Sequence, residues 1–203
     1  TDSLRAIRAR RMAVELLLSN HPNECFTCPK NLECELQALA HELGVREIKW
    51  AGEKMQFPKD VSSDAIVKDA NKCIMCRRCE TMCNEVQTCG ILSAIGRGFE
   101  TFVGPAFNIP MVESSCTYCG QCVAVCPTAA LTEVNHTDKV WEALNDPDKH
   151  VVVQTAPAIR VAIGELFGME PGTIGTGKLA TALKRMGFDA VFDTDFAADL
   201  TII

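Results

Sequence analysis

Residues 21–34 read HPNECFTCPKNLEC, one histidine and three cysteines spaced His-x3-Cys-x2-Cys-x5-Cys. An imidazole and three thiols this close together form a four-donor metal site, and two kinds of metal centre suit it. Zinc takes mixed Cys and His ligands. An iron–sulfur cluster takes thiolates, and a neutral imidazole replacing one of them removes a negative charge, an exchange that raises the potential in Rieske centres. Pro22 holds the chain extended at His21.

Two further groups follow: Cys73-x2-Cys76-x2-Cys79-x3-Cys83, and Cys116-x2-Cys119-x2-Cys122-x3-Cys126-Pro127. This is the four-cysteine run of bacterial ferredoxins, present twice. Three thiolates two residues apart wrap one face of a cubane, and the fourth has by then entered a helix and turns to the other cluster. Cys73, Cys76, Cys79 and Cys126 are therefore assigned to one 4Fe-4S cluster, and Cys116, Cys119, Cys122 and Cys83 to a second. Zinc ribbons instead pair two Cys-x2-Cys knuckles across a longer loop. In a chain with two clusters a third is more useful as a relay than zinc is as a staple, so His21, Cys25, Cys28 and Cys34 are expected to hold a third 4Fe-4S cluster. Cys89 is left over among apolar and small neighbours and is expected to pack as a small hydrophobe. His41, His136 and His150 are given no role.

The elements that must position these donors can be read from periodicity. A helix is expected over Ser3–Ser19, with Leu4, Ile7, Met12 and Leu16 as its apolar stripe and Arg5, Arg8 and Arg11 on the wetter face. Asn20-His21-Pro22 ends it. A second helix is expected over Leu32–Leu43, stopped by Gly44, and residues 51–63 read as a linker. Residues 64–137 have short apolar pieces and little room for a core, so cluster ligation must contribute much of their stability. Beyond them, VVVQTA reads as a buried strand, IRVAIGELFG and GKLATALKRMG as helices, the second ending at Gly187, and AVFDTD as another strand. Strands alternating with helices predict a parallel α/β unit.

Composition limits the classes. Twelve cysteines in 203 residues, with no signal segment at the start, favour metal-bound thiolates in a reducing compartment over a disulfide scaffold. The formal charge of −6 argues against nucleic acid as a partner, and no apolar run reaches membrane-spanning length. A cytoplasmic protein is expected. Two motifs are decoys. GTIGTGK at 172–178 lacks the Ser or Thr of a phosphate loop, has Leu179 in that place, and follows a helix instead of a strand. Asn135-His136-Thr137 fits a glycosylation acceptor that a cytoplasmic chain does not use.

Taken together, HPNECFTCPKNLECELQ, CIMCRRCETMCNEVQ and CTYCGQCVAVCPTAAL resemble the accessory cluster region of FeFe hydrogenases. The His/Cys3 motif also occurs in the large iron–sulfur subunit of respiratory complex I and in NAD-dependent formate dehydrogenases. The stretches VVVQTAPAIRVAIGELFG and TGKLATALKRMGFDAVFDTDFAADLTI are similar to the opening of the FeFe hydrogenase catalytic domain. A molybdenum-type enzyme is expected to open with another cysteine motif there, and residues 127–203 contain no cysteine. The resemblance runs from about Leu4 to Ile203.

The resemblance implies an α+β chain in three parts: a small helical His/Cys3 cluster domain at 1–60, a ferredoxin-like double 4Fe-4S domain at 61–137, and the beginning of an α/β H-cluster domain at 138–203. Its function would be to relay electrons between an external carrier and the H-cluster for reversible proton reduction to dihydrogen. The alternative is the electron-input arm of a complex I or formate dehydrogenase type oxidoreductase, and a zinc-stabilised interaction module with no redox role is a third reading. The opening on Thr1 and the close on DLTII read as cut ends, with a 2Fe-2S domain expected before the first helix and the H-cluster ligands after Ile203. The chain alone is therefore expected to be inactive. Pro157 and Ala158 are candidate walls of the H-cluster pocket, with Ala158 where several relatives have serine. The implied partners are ferredoxin, a flavin-bearing subunit handling NAD(P), and the rest of the catalytic domain.

Overall fold

In the computed structural model, which describes residues 3–202, Ser3 caps the first helix by accepting a 3.3 Å hydrogen bond from the Ala6 amide. Thr1 and Ile203, on which the reading of the two ends rests, lie outside the described residues. Helix α1 runs Leu4–Asn20 and stops where His21 turns extended ahead of Pro22. Its expected stripe is not its buried side: Leu4, Ile7, Met12 and Leu16 are all exposed, Leu4 at 64%. Val14 and Glu15 are the buried pair, and Glu15 accepts from Arg11 Nε at 3.0 Å. Helix α2 spans Glu35–Glu42, three residues later than expected at its start, because Leu32 sits at φ 69° and cannot join a right-handed turn.

The chain groups into two compact units, 1–134 and 135–203. In the first, β1 (Ile66–Lys68) pairs antiparallel with β4 (Leu131–Glu133). Between them lie α3 (Arg78–Thr81), continued by a π-helical turn at Met82–Val86, and α4 (Gln121–Ala124). An antiparallel hairpin, β2 (Ser93–Ile95) with β3 (Phe102–Gly104), was not read from sequence. Its turn needs glycine at position 96, where φ is 84° and a Cβ would lie 2.5 Å from the Glu100 carbonyl oxygen. The core is small and shared with the thiols: Ile66, Leu92, Met111 and Leu131 pack with Cys79, Cys122 and Cys126. The expected linker is sewn to this unit. Phe57 exchanges two 2.8 Å hydrogen bonds with the Asn71 side chain, and Met55 N donates to Asn20 Oδ1 at 2.9 Å.

In the second unit, β5 (Val152–Thr155) lies parallel to β6 (Ala190–Asp193), with α6 (Ile159–Leu166) and α7 (Thr176–Met186) in the connection. This is the expected parallel α/β arrangement. Gly187 ends α7 at φ 110°. The first strand is not buried as expected, since Val152 is 52% exposed. The last strand stops two residues early because Asp193 caps α8 (Thr194–Leu200), accepting from the Asp195 amide at 3.2 Å. Helix α5 (Thr137–Leu144) precedes the unit's first strand. GTIGTGK links α6 to α7, with Gly175 N donating to the Arg160 carbonyl at 2.7 Å.

Candidate metal centres

The C-terminus of α1 sets the position of His21, whose amide donates to the Leu17 carbonyl. Its Nδ1 lies 2.7 Å from the Pro22 carbonyl oxygen. A carbonyl can only accept, so the ring proton sits on Nδ1 and Nε2 presents a lone pair. That Nε2 is buried and has no hydrogen-bond partner. Burial, with Lys72's charge as a smaller contribution, holds the imidazole pKa below its ordinary value. Cys25 opens a short 3-10 turn, Cys28 closes it, and Cys34 precedes α2. Gln37 fixes the intervening loop, accepting from Leu32 N at 2.9 Å and donating to Asn31 Oδ1 at 3.1 Å. His21, Cys25, Cys28 and Cys34 line one pocket.

The orphaned Nε2 and three thiols around one cavity fit a metal group bound there. Among the described residues no three His, Cys, Asp or Glu side chains close on a point as ligands of a single ion do.

The two four-cysteine runs turn by the same backbone device. In the first, Met75 and Arg77 have φ 55° and 59°; in the second, Tyr118 and Gly120 have φ 53° and 76°. These left-handed residues sit between successive cysteines and curl the chain, leaving the third thiol of each run buried and the second exposed. The Met75 amide points at Cys73 Sγ and the Tyr118 amide at Cys116 Sγ, each at 3.4 Å. One residue before the third cysteine each run becomes helical, as α3 or α4. Cys73, Cys76, Cys79 and Cys126 line one pocket, so the last thiol of the second run stands with the first three of the other. Burial first, then Cys73, Cys126 and Cys76, pushes the Cys79 thiol up to about 12. Burial first, then neighbours that include Cys116, Cys119 and Cys83, pushes Cys122 up to about 11. Cys83 Sγ also accepts from Ile91 N at 3.4 Å.

Cys89 departs from its expected apolar setting. Its half-buried Sγ lies 3.6 Å from both the Gln87 carbonyl oxygen and Thr117 Oγ1. Pro157 and Ala158 form an exposed turn ahead of α6, where the Pro157 carbonyl accepts from Arg160 Nε at 3.1 Å. Sequence reasoning also missed what ties the donor sets together. Arg78 forks onto Glu35 at 2.6 and 2.9 Å, holding the Glu35 carboxyl below its usual range. Glu35 N donates to the Pro127 carbonyl, directly after Cys126. Thr128, buried, donates to the Lys72 carbonyl at 2.7 Å. These partners are tens of residues apart, and no local pattern marks them.

Three family models match at these places: the NADH-ubiquinone oxidoreductase-G iron-sulfur binding region over residues 10–49, a 4Fe-4S binding domain over 109–132, and the C-terminal domain of the iron only hydrogenase large subunit over 149–203. Fold and donor sets define an iron–sulfur electron-transfer protein built of helices and small sheets. The chain is 59% identical over its whole length to the NADP-reducing hydrogenase subunit HndD of Solidesulfovibrio fructosivorans, of which it spans 35%. It is 37% identical to iron hydrogenase 1 of Clostridium pasteurianum, over 94% of this chain and 33% of that one. These matches support a region of an iron-only hydrogenase large subunit that reaches into its C-terminal domain. The chain spans about a third of the length of these curated relatives. Among solved structures, an NAD+-reducing [NiFe]-hydrogenase in the H2-reduced state matches 65% of the chain and 56% of its own, with a TM-score of 0.60 and 25% identity.

Proposed function

We propose that the chain is the electron-transfer arm and the first part of the catalytic domain of an FeFe hydrogenase that interconverts protons and dihydrogen. The observation that carries this is the cavity at which Cys126 joins Cys73, Cys76 and Cys79, in a chain whose residues 149–203 match the hydrogenase C-terminal domain. Three 4Fe-4S clusters would be held, one by His21, Cys25, Cys28 and Cys34, one by Cys73, Cys76, Cys79 and Cys126, and one by Cys116, Cys119, Cys122 and Cys83. When bound, such clusters supply one-electron steps at potentials set by ligand type, burial and hydrogen bonds to sulfur. The protein orders them in space: left-handed residues curl each run, amides donate to Cys73, Cys83 and Cys116, and the Nδ1 proton of His21 keeps Nε2 free to ligate. The layout is a His/Cys3 domain at 1–60, a double-cluster domain at 61–137 and the opening of the H-cluster domain at 138–203, with Pro157 and Ala158 walling its pocket. The whole protein carries in addition an H-cluster and a 2Fe-2S cluster. The HndD relative is named a subunit of an NADP-reducing hydrogenase, which supports a partner that handles NAD(P); a flavin-bearing subunit and ferredoxin are the candidate carriers. Among the described residues no helix is long and apolar enough to cross a membrane, which fits work in the cytoplasm.

A second reading is favoured by the match over residues 10–49 and by an NADH-quinone oxidoreductase subunit of Rhizobium meliloti, 39% identical over 60% of the chain and 14% of that protein. In it the same clusters form the input arm of a complex I or formate dehydrogenase type enzyme. It leaves residues 149–203 without an account. The test is to reduce the anaerobically prepared chain with dithionite and present an acceptor dye. Electrons should pass, while dihydrogen is neither evolved nor taken up, even after maturation with a synthetic diiron precursor. Joined to the sequence that follows Ile203 in its parent, the chain should become a hydrogenase. Failure of the joined protein to handle dihydrogen overturns the hydrogenase reading. Activity from residues 1–203 alone overturns the division of labour.

A further inference from the structure

Lys72 stands between two donor sets and touches both. Its backbone leads directly into Cys73, while its side chain turns the other way and lines the cavity of His21, Cys25, Cys28 and Cys34. There Nζ lies 3.9 Å from Cys28 Sγ and 3.9 Å from Asp69 Oδ2. The Lys72 and Asp69 side chains are only 14% and 13% exposed. On the other side the Lys72 carbonyl accepts from Thr128 Oγ1, which itself lies 3.9 Å from Cys126 Sγ. Lys30, the other lysine at the cavity, sits 3.9 Å from Glu33 and is more exposed at 26%.

We propose that Lys72 is a positioning residue that raises the reduction potential of the cluster held by His21 and its three cysteines, with Asp69 as the opposing charge. The inference rests on the relay reading of the previous subsection. Adding an electron makes a cluster more negative, so a nearby cation favours the reduced form and a nearby anion opposes it. Burial limits screening by salt, which makes a charge near a thiolate sulfur count for more than one on the surface. Lys72 therefore acts in the same sense as the exchange of a thiolate for His21, and both make this site the easier one to reduce. Lys68 and Arg77 line the pocket of the Cys73 set, but Lys68 Nζ is turned to Asn108 Oδ1 at 3.3 Å and Arg77 is forked onto Glu80, while Arg78 is forked onto Glu35.

The experiment is a redox titration followed by low-temperature EPR on the wild-type chain and on Lys72→Met, Lys72→Arg and Asp69→Asn, with iron counted in each. At a fixed poise Lys72→Met should lower the reduced-to-oxidised ratio of the His21-site cluster about tenfold, or 59 mV for a one-electron couple. Asp69→Asn should raise that ratio, and Lys72→Arg should leave it near wild type. Opposite shifts from two neighbouring substitutions are not produced by a structural role, which moves both the same way. Loss of the cluster in Lys72→Met with full retention in Lys72→Arg also supports the proposal, because charge is then what holds it. An unchanged ratio in Lys72→Met, or equal loss of the cluster in the Met and Arg variants, overturns it. Absence of iron at the His21 site in the wild-type chain is a failure of the relay reading, and the proposal falls with it.

Discussion

The Nδ1 atom of His21 is held 2.7 Å from the carbonyl oxygen of Pro22, the residue that also stops its helix. One local feature therefore fixes both where the ring stands and which nitrogen it offers. Replacing His21 by Cys should retain a cluster at this site and lower its potential, because a thiolate adds negative charge where the imidazole is neutral. Cys89→Ser should leave every cluster in place. Iron analysis and redox titration check both. If Cys89→Ser removes four irons and His21→Ala removes none, the ligand assignment is wrong.

Eleven cysteines and one histidine make three four-donor sets, so an anaerobically prepared chain should bind about twelve irons. Elemental analysis decides this. Stoichiometric zinc with little iron, in a colourless preparation, is incompatible with a relay.

Removing the metal should be felt most in residues 64–137. The core there is a handful of apolar residues packed among Cys79, Cys122 and Cys126, so the groups that would hold the clusters are also its interior. Cluster ligation then contributes much of the folding free energy. In hydrogen exchange the stripped chain should lose protection across this region. Protection equal to the loaded form contradicts the idea.

Gly120 and Arg77 hold equivalent places in the two runs, both left-handed. A Cβ at Gly120 would meet nothing within 4 Å, so Gly120→Ala tests conformation alone. It should destabilise the loaded chain by about 1 kcal/mol, the usual penalty of a left-handed non-glycine residue. Arg77→Gly should relieve a similar strain while losing the fork onto Glu80, whose side chain is 14% exposed. In urea titrations Arg77→Gly should therefore have the higher midpoint of the two variants.

Loss of the Arg78 fork onto Glu35 should matter little to global stability. The pair is about half exposed on both sides, so Arg78→Ala should barely move the midpoint of a urea titration. A larger loss means that the tie between α2 and α3 is needed for folding.

The sequence by itself was enough to place the end of the first helix at Pro22, the stop at Gly187 and the parallel α/β character of the last part, and to propose the donor residues. Each of these depends on neighbours a few residues away: ligand spacing follows the local wrap of a loop, and helix ends follow proline and glycine geometry. What only the tertiary structure decided depends on residues far apart in the chain. Lys72 reaches Cys28 across 44 positions and Arg78 reaches Glu35 across 43. The stripe of α1 was legible as a pattern and still faces solvent in the described residues, because periodicity records which side of a helix is apolar and carries no information about what packs against it. The hairpin of β2 and β3 was invisible for a related reason. Its strands are three residues each, too short to show a period, and only pairing with a partner across the turn makes them strands.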